Sequence, residues 1–211
     1  PGGEGPGLFL VDGGSPGVEW RGRTPALGLR SVRVADLVLH GVQALARLDR
    51  PGQGRAVLDS AVQADRIAIA AQATGLAGGV FQATLRHLQG GTSDGRALPS
   101  VGTVQALVAD AAAELDAARL LTWNAALRLD AGEDADEASA MACLQASRCA
   151  RELTDTCLRL WGGEGALDDA LPARAVGDAR LAVMRGGSEE LMRAIVARHL
   201  LERLQVAGTL P

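Results

Sequence analysis

The sequence predicts a mainly α fold, an antiparallel four-helix bundle preceded by a short β segment. Three observations carry this prediction. Apolar residues recur every three or four positions over three long stretches, which is the spacing of an amphipathic helix. Glycine-rich loops separate these stretches, and helices joined by short loops pack antiparallel. The first forty residues lack the helical period and contain turn-rich glycine clusters, which is typical of strands.

Three short strands are expected before the helices, over residues 8–11, 18–23 and 30–40. A cluster of turn-forming residues, 12–17, separates the first two. In the third, apolar and polar side chains partly alternate, which is the period of a half-buried strand.

Four helices are expected after Pro51, over residues 56–89, about 103–131, 136–161 and 188–206. Thr103 is expected to cap the second helix, and a loop containing Pro172 is expected to lead into the last. Alanine dominates the predicted helix seams, which permits close approach but leaves a thin core. We therefore expect apolar surface to be buried against another subunit.

Composition and charge exclude several functions. All 21 basic residues are arginine and tyrosine is absent, so this chain contains no Schiff-base lysine, phosphate-loop lysine or catalytic tyrosine. A net charge of −4 and a pI near 5.4 argue against a nucleic-acid partner. No apolar run approaches the roughly 20 residues that cross a bilayer. The start is small and acidic rather than signal-like, so we expect a cytoplasmic protein without a membrane partner.

No metal site is expected. Cys143, Cys149 and Cys157 lie in one predicted helix, and their spacings fit neither a zinc site nor a disulfide framework. We expect them to be buried free thiols. The three histidines are far apart in the sequence. The acidic run 133–137 is expected to form a solvated loop and helix start.

Five segments, in order and at matching separations, resemble one family. The first is LGLR at 27–30, and the second runs from GLA to GTSDG over 75–95. The third runs from LVAD to AARLL over 107–121, and the fourth is WGGEG at 161–165. The fifth runs from DAR to IVAR over 178–198. The pattern is similar to the second half of an acyl-CoA dehydrogenase. The resemblance implies that residues 1–50 are a remnant of the middle β domain and that 51–211 form the C-terminal helical bundle domain. We expect either a C-terminal fragment or a naturally short subunit.

The resemblance implies FAD-dependent α,β-dehydrogenation of an acyl-CoA thioester, with FAD shared at a subunit interface. Gly186 stands where the family has its catalytic glutamate, and glycine cannot take a proton. Some members place the base on the first long helix instead, before an arginine and ten residues ahead of the GLA segment. Asp65 and Arg66 occupy those positions, which implies a catalytic Asp65 and a substrate-binding Arg66. The alternative is that Asp65 is a solvated or ion-paired helix carboxylate.

The resemblance also implies five cofactor contacts: Arg159, Gly162, Gly163, Gly187 and Ser188. Arg159 replaces a glutamine of the family, and its alternative role is a surface arginine that favours the helix C-terminus. Ser188 keeps the hydroxyl of a family threonine, and its alternative role is a helix N-cap.

Two other family positions have lost their side-chain chemistry. Gly91 stands in place of the arginine that the family directs at the pyrophosphate, and Asp94 stands in place of a phenylalanine. Two roles therefore remain open: an acyl-CoA dehydrogenase subunit, or a non-catalytic interface subunit without a complete FAD site. The second is similar to the non-catalytic subunits of heteromeric actinobacterial enzymes that degrade lipids or steroids. In either role we expect a homo- or hetero-oligomer.

Overall fold

The computed structural model describes residues 6–22, 26–32, 34–93, 95–185 and 187–207. The chain divides into two compact units between Val62 and Gln63, within the first helix. Among the described helices, none combines the length and apolar character that a membrane crossing requires.

The first unit contains two pairs of short antiparallel strands. Strand β1 pairs with β4, and β2 pairs with β3. Asp49 ties the unit together, because its carboxylate accepts the Leu8 amide at 2.9 Å and two guanidinium hydrogen bonds from Arg47 at 3.1 Å. The Arg47 cation lowers the pKa of Asp49. The strands are β1 (Phe9–Leu10), β2 (Val18–Arg21), β3 (Asp36–Leu39) and β4 (Ala46–Arg47).

The strand expected over 30–40 is shorter than predicted. Leu29 has a positive φ of 49° and its carbonyl accepts the Val32 amide at 2.8 Å, so the chain turns there instead of extending. Strand pairing begins only at Asp36.

The helices begin with α1, which crosses from the first unit into the second. The mainly α fold with a preceding short β segment is confirmed. A small hairpin of β5 (Thr92–Ser93) and β6 (Arg96–Ala97), then a 3₁₀ turn (Leu98–Ser100), joins the first two helices. The helices are α1 (Gly54–Gly90), α2 (Gly102–Asp130), α3 (Asp136–Trp161), α4 (Leu171–Arg185) and α5 (Glu189–Ala207).

Two predictions at helix starts are wrong. The loop expected around Pro172 is instead helix α4, so the described chain has five helices rather than four. Pro172 is the second residue of α4, where its missing N–H has no helical partner to lose. Helix α2 begins at Gly102, its N-cap is Val101, and no side chain caps it, so Thr103 lies inside the helix.

The core of the second unit is built on small residues. Ala73 and Ala77 of α1, Ala118 of α2, and Ala146 and Ala150 of α3 are fully buried. Small side chains let the three helix backbones approach closely. The three cysteines are buried and free, as predicted, and burial raises the pKa of Cys149 to about 11.

Candidate functional site at the two ends of helix α3

Five of the seven candidate site residues lie near the two ends of α3, and the other two, Gly187 and Ser188, lie in the turn before α5. Asp65 and Arg66 of α1 lie towards its start, and Arg159, Gly162 and Gly163 lie at its end. We call the ionic group of Arg66, Asp136, Arg198 and His199 the start cluster. We call the cavity next to Trp161 the end groove.

The end groove is a surface cavity of about 730 Å³. It brings together residues from three parts of the second unit: the end of α1, the connection to α2, and the end of α3 with its glycine turn. Three of the five predicted cofactor residues therefore line one wall of this cavity: Arg159, Gly162 and Gly163. Gly91 lines the same cavity. The lining residues are His87, Gly90, Gly91, Thr92, Leu98, Arg159, Leu160, Trp161, Gly162, Gly163 and Glu164.

The glycine turn leaves the backbone of this wall accessible. Gly162 has a φ of +62°, a conformation that favours glycine, and a Cβ placed on Gly162 or Gly163 would meet no atom within 4 Å. Gly162–Ala166 form a 3₁₀ turn directly after α3. Arg159 is exposed on the last turn of the helix, so its cation can reach either a ligand in the groove or the helix C-terminus.

Two stacked rings lie in the same cavity. The Trp161 indole lies parallel to the His87 imidazole, with ring centroids 4.2 Å apart and 5° between the planes. The indole N–H donates to Thr84 Oγ1 at 2.9 Å. The rings and the hydroxyl together fix the end of α3 against α1.

Leu98 occupies the space beside Gly91. A Cβ at Gly91 would lie 2.4 Å from Leu98 Cδ1, and the Leu98 amide donates to the Gly91 carbonyl at 3.0 Å. A side chain at position 91 would therefore displace the leucine. Asp94 lies outside the described residues.

The start cluster is centred on Asp136, the first residue of α3. Its Oδ1 accepts Arg66 Nη1 at 2.7 Å, while its Oδ2 lies 2.8 Å from Arg198 Nη2 and 3.0 Å from His199 Nε2. Partial burial by itself would raise the pKa of Asp136, but hydrogen bonds from His199 and Arg66 outweigh it, so the pKa lies below its ordinary value. Arg66 is only 7% exposed, and its Nε is buried without a hydrogen-bond partner.

Asp65 is exposed beside this cluster and is not engaged by it. Arg66 pairs with Asp136 instead, and no hydrogen bond or ion pair joins Asp65 to another residue in the described ranges. Burial raises the pKa of the Cys143 thiol, and the negative charge of Asp65 raises it further. Asp65 lies one helical turn before Ile69, a member of the small core that contains Cys143.

The turn between α4 and α5 reaches the same small core. That core contains Cys143, Ile69 and Met192, and a Cβ at Gly187 would lie 3.2 Å from Met192 Cε. Gly187 has a φ of +102°. Ser188 caps α5, since its Oγ accepts the Leu191 amide at 3.2 Å. Gly186 lies outside the described residues.

Comparison with known proteins identifies the family. The family model for the acyl-CoA dehydrogenase C-terminal domain matches residues 52–201. The chain belongs to the acyl-CoA dehydrogenase family. It is 31% identical over 196 residues to the mitochondrial short-chain specific acyl-CoA dehydrogenase of Bos taurus, a match that covers 92% of this chain and 48% of that protein.

A second relative agrees in sequence and a solved structure agrees in fold. Cyclohexane-1-carbonyl-CoA dehydrogenase of Geobacter metallireducens is 30% identical over 197 residues, covering 92% of this chain and 52% of its own length. The solved structure of butyryl-CoA dehydrogenase from Megasphaera elsdenii shares the fold, with a TM-score of 0.89 at 24% identity over 92% of this chain and 51% of that one. The chain spans about half the length of the relatives that it matches and corresponds to their C-terminal portion.

Several residues of this chain that shape the site have no sequence signal of their own. Asp136 belongs to an acidic run that predicts a solvated loop and helix start, yet it holds three basic side chains. Thr84 lies 77 positions before its partner Trp161, and no short motif connects Thr84 or His87 to that tryptophan. Only the register of α1 against α3 shows which side chains meet.

Proposed function

We propose that this chain is the C-terminal part of an acyl-CoA dehydrogenase subunit that acts on an acyl-CoA thioester, with FAD shared at a subunit interface. Asp65 is the base of this proposed reaction. The main support is that the Asp65 carboxylate is exposed and makes no ion pair with its neighbour Arg66, because Arg66 pairs with Asp136.

The position of Asp65 supports this role. Asp65 lies one helical turn before Ile69, and Gly187 of the α4–α5 turn lies against Met192; Ile69 and Met192 belong to the same small core. The Asp65 carboxylate takes the α-proton of the thioester, and the product is the 2-enoyl-CoA. Bound FAD supplies the acceptor for the hydride that leaves the β-carbon. Arg66 holds the α1 backbone beside Asp65 through its ion pair to α3, and we propose that it also borders the substrate.

The end groove fits part of the cofactor. Its volume of about 730 Å³ and the open backbone at Gly162 and Gly163 admit a flat or phosphorylated group, and Arg159 supplies a positive charge at the rim. We propose that these three residues hold the portion of FAD that crosses the interface. Gly187 and Ser188 are the proposed contacts at the start of α5, although the Ser188 hydroxyl already caps that helix.

An oligomer is proposed on the exposed apolar side chains of α2. Leu120, Trp123 and Leu127 follow one another at helical spacing and are each more than 60% exposed. On α5, Leu200, Leu201 and Leu204 are also exposed. Apolar stripes of this kind mark interaction surfaces. A second copy of this chain or a homologous acyl-CoA dehydrogenase subunit is the proposed partner.

One observation favours the second role, a non-catalytic interface subunit. Leu98 fills the space next to Gly91, where the family arginine would stand, so the loss of that cation is accommodated by local packing. In this role the chain contributes one face of the flavin site of an active companion, and Asp65 is a solvated carboxylate.

Replacing Asp65 by asparagine tests the proposed base. Flavin absorbance and dye-coupled oxidation of acyl-CoAs are measured on the protein alone and mixed with a homologous subunit. Because the amide of an asparagine cannot accept the α-proton, we expect oxidation to fall by about 100- to 10,000-fold, while flavin absorbance stays unchanged. Asp59→Asn is the matched control, because Asp59 is another exposed α1 carboxylate, paired with Arg55. If Asp65→Asn retains full activity, the non-catalytic role replaces the proposed one.

A further inference from the structure

The Thr84 hydroxyl stands at the junction of α1 with the end of α3. Thr84 is fully buried. Its Oγ1 donates to the Val80 carbonyl at 2.9 Å and accepts the Trp161 indole N–H at 2.9 Å. A hydroxyl has one proton to donate, and the helix carbonyl takes it, so the remaining lone pairs face the indole. Thr84 can therefore act towards Trp161 only as an acceptor.

This hydrogen bond fixes the orientation of the Trp161 ring. The indole has one donor, and that donor points at a hydroxyl whose own position is set by the α1 backbone. With the N–H fixed, the ring plane lies parallel to His87 at 4.2 Å. A buried hydrogen bond and a stacked pair together hold the ring more firmly than either contact alone.

The glycine turn is built directly on Trp161. Trp161 is the last residue of α3 and Gly162 follows it. A Cβ on Gly165 would lie 2.6 Å from Trp161 Cβ and 3.0 Å from the Leu158 carbonyl oxygen. The turn therefore packs against Trp161 so closely that a side chain at position 165 would not fit. A shift of Trp161 would therefore shift the turn.

We propose that Thr84 is a positioning residue for the end groove: through the Trp161 indole it sets the glycine turn that receives the phosphate or adenine part of a dinucleotide cofactor. This inference rests on the proposed function, because the ligand class comes from it. Thr84 does not touch the ligand. Its effect passes through the Trp161–His87 stack to the backbone at Gly162 and Gly163.

Another buried threonine provides a matched control. Thr122 on α2 is 5% exposed, and its hydroxyl donates to the Ala118 carbonyl at 2.8 Å, the same local bond that Thr84 makes. No second hydrogen bond joins the Thr122 hydroxyl to any part of the described chain. Thr84→Val and Thr122→Val thus remove the same local bond, and only the first also removes the acceptor of an indole. Thr84→Val also removes a side-chain hydrogen bond with Cys157, which Trp161→Phe leaves intact.

The first experiment measures amide hydrogen exchange over residues 162–166 in the full protein. We expect Thr84→Val to exchange at least about fivefold faster there than wild type, the effect of one net hydrogen bond, and Thr84→Ser and Thr122→Val to match wild type. Trp161 emission is recorded with Trp20→Phe and Trp123→Phe in the background, since both of those rings are exposed. Its maximum shifts to longer wavelength in Thr84→Val only. If Thr84→Val does not fold, Trp161→Phe removes the same hydrogen bond from the other partner, and its turn should exchange faster in the same way.

The second experiment titrates FAD into the same variants, alone and with a homologous subunit. We expect Thr84→Val to bind about five- to tenfold more weakly, the effect of one net hydrogen bond, while Thr84→Ser and Thr122→Val bind as wild type. Unchanged exchange over 162–166 in Thr84→Val, or equal weakening by Thr122→Val, overturns the inference. If wild type itself binds no FAD in either preparation, the proposed function fails, and the exchange result alone decides whether Thr84 positions the turn.

Discussion

The two ends of α3 are held against α1 by opposite kinds of chemistry. At the start, Arg66 of α1 meets Asp136, and two further basic side chains from α5 share the same carboxylate. At the end, a neutral hydroxyl and two stacked rings make the junction. The start depends mainly on the ion pairs of Asp136, with Gln63 of α1 also hydrogen-bonded to Asp134 and to the Ala135 amide. The end depends on shape and a neutral hydrogen bond. The two ends should therefore respond to different perturbations.

All the ion pairs of the start cluster depend on one carboxylate, that of Asp136. Asp136 has three basic partners on two helices, so the loss of its charge weakens the attachment of both α1 and α5 to the start of α3. Arg66 has no second acceptor for its buried Nε. At the other end, loss of the Thr84 hydrogen bond weakens the hold on the Trp161 ring but leaves the surface of His87 against which the ring stacks. The comparison predicts large effects at the start and small effects at the end.

The largest effect is expected for Asp136→Ala. The substitution leaves the buried Arg66 cation without its partner, and removing one member of a buried pair costs more than the pair contributes. Because 21% of the Asp136 side chain is exposed, we expect the free energy of unfolding to fall by about 2–4 kcal/mol, less than for a fully buried ion pair. Urea denaturation followed by circular dichroism measures the free energy of unfolding.

Arg148→Ala is the control for that substitution. Arg148 pairs with Glu152 one turn later on α3, at 2.9 Å, but both side chains are more than half exposed. An exposed pair of this kind contributes about 0–0.5 kcal/mol. If Asp136→Ala is no more destabilising than Arg148→Ala, the start cluster is a surface feature and the contrast between the two ends fails.

Acid should loosen the start before the end. The folded pKa of Asp136 is depressed by His199 and Arg66 against the effect of burial, and Arg203 depresses that of Glu137. A carboxylate with a depressed folded pKa stabilises the fold above its unfolded pKa, about 4 for Asp and Glu, and loses that contribution as pH falls through the folded value. We therefore expect the contribution of these two carboxylates to the free energy of unfolding to stay constant between about pH 7 and 5 and to decline below about pH 4.

Asp136→Asn separates this cluster from the other acids of the chain. The amide cannot titrate, so the variant should start less stable at neutral pH and lose less on acidification than wild type does. Amide exchange should also rise first over the start of α3 and over α5, and only later over residues 162–166. If the free energy of unfolding falls equally steeply with decreasing pH in Asp136→Asn and in wild type, other carboxylates cause the pH dependence.

Much of this fold follows from the sequence, because helices report their buried face through local spacing. The bounds of α3, Asp136–Trp161, are predicted without error, since an acidic start and a glycine pair mark its ends. Helix α4 is missed because a proline suggests a break, although the first turn of a helix tolerates one. The helical period defines which residues face inward, but it does not define where a helix begins.

The site is less accessible to sequence reasoning, because its contacts join residues far apart in the chain. Arg159, Gly162 and Gly163 come from one motif, and the structure brings them to one groove as a local turn must. Their partner Thr84 carries no signal, since a buried threonine bonded to its own helix is an ordinary feature, as Thr122 shows. Arg66 and Asp136 likewise become partners only through the register of two helices.

The smallest effect is expected for Trp161→Phe, which probes the end of α3 from the ring side. The phenylalanine keeps a flat ring against His87 and removes the indole donor together with three ring atoms of a partly buried side chain. Thr84 then still donates to Val80, so no buried donor is left unpaired, and the cost should be below about 1 kcal/mol. Thr84→Val leaves the indole N–H without an acceptor and should cost more, although both variants lose the hydrogen bond between Thr84 and Trp161. Urea denaturation of the two variants, with Thr122→Val as the reference, measures this order. A Trp161→Phe loss as large as that of Asp136→Ala would mean that shape, rather than charge, dominates both ends of the helix.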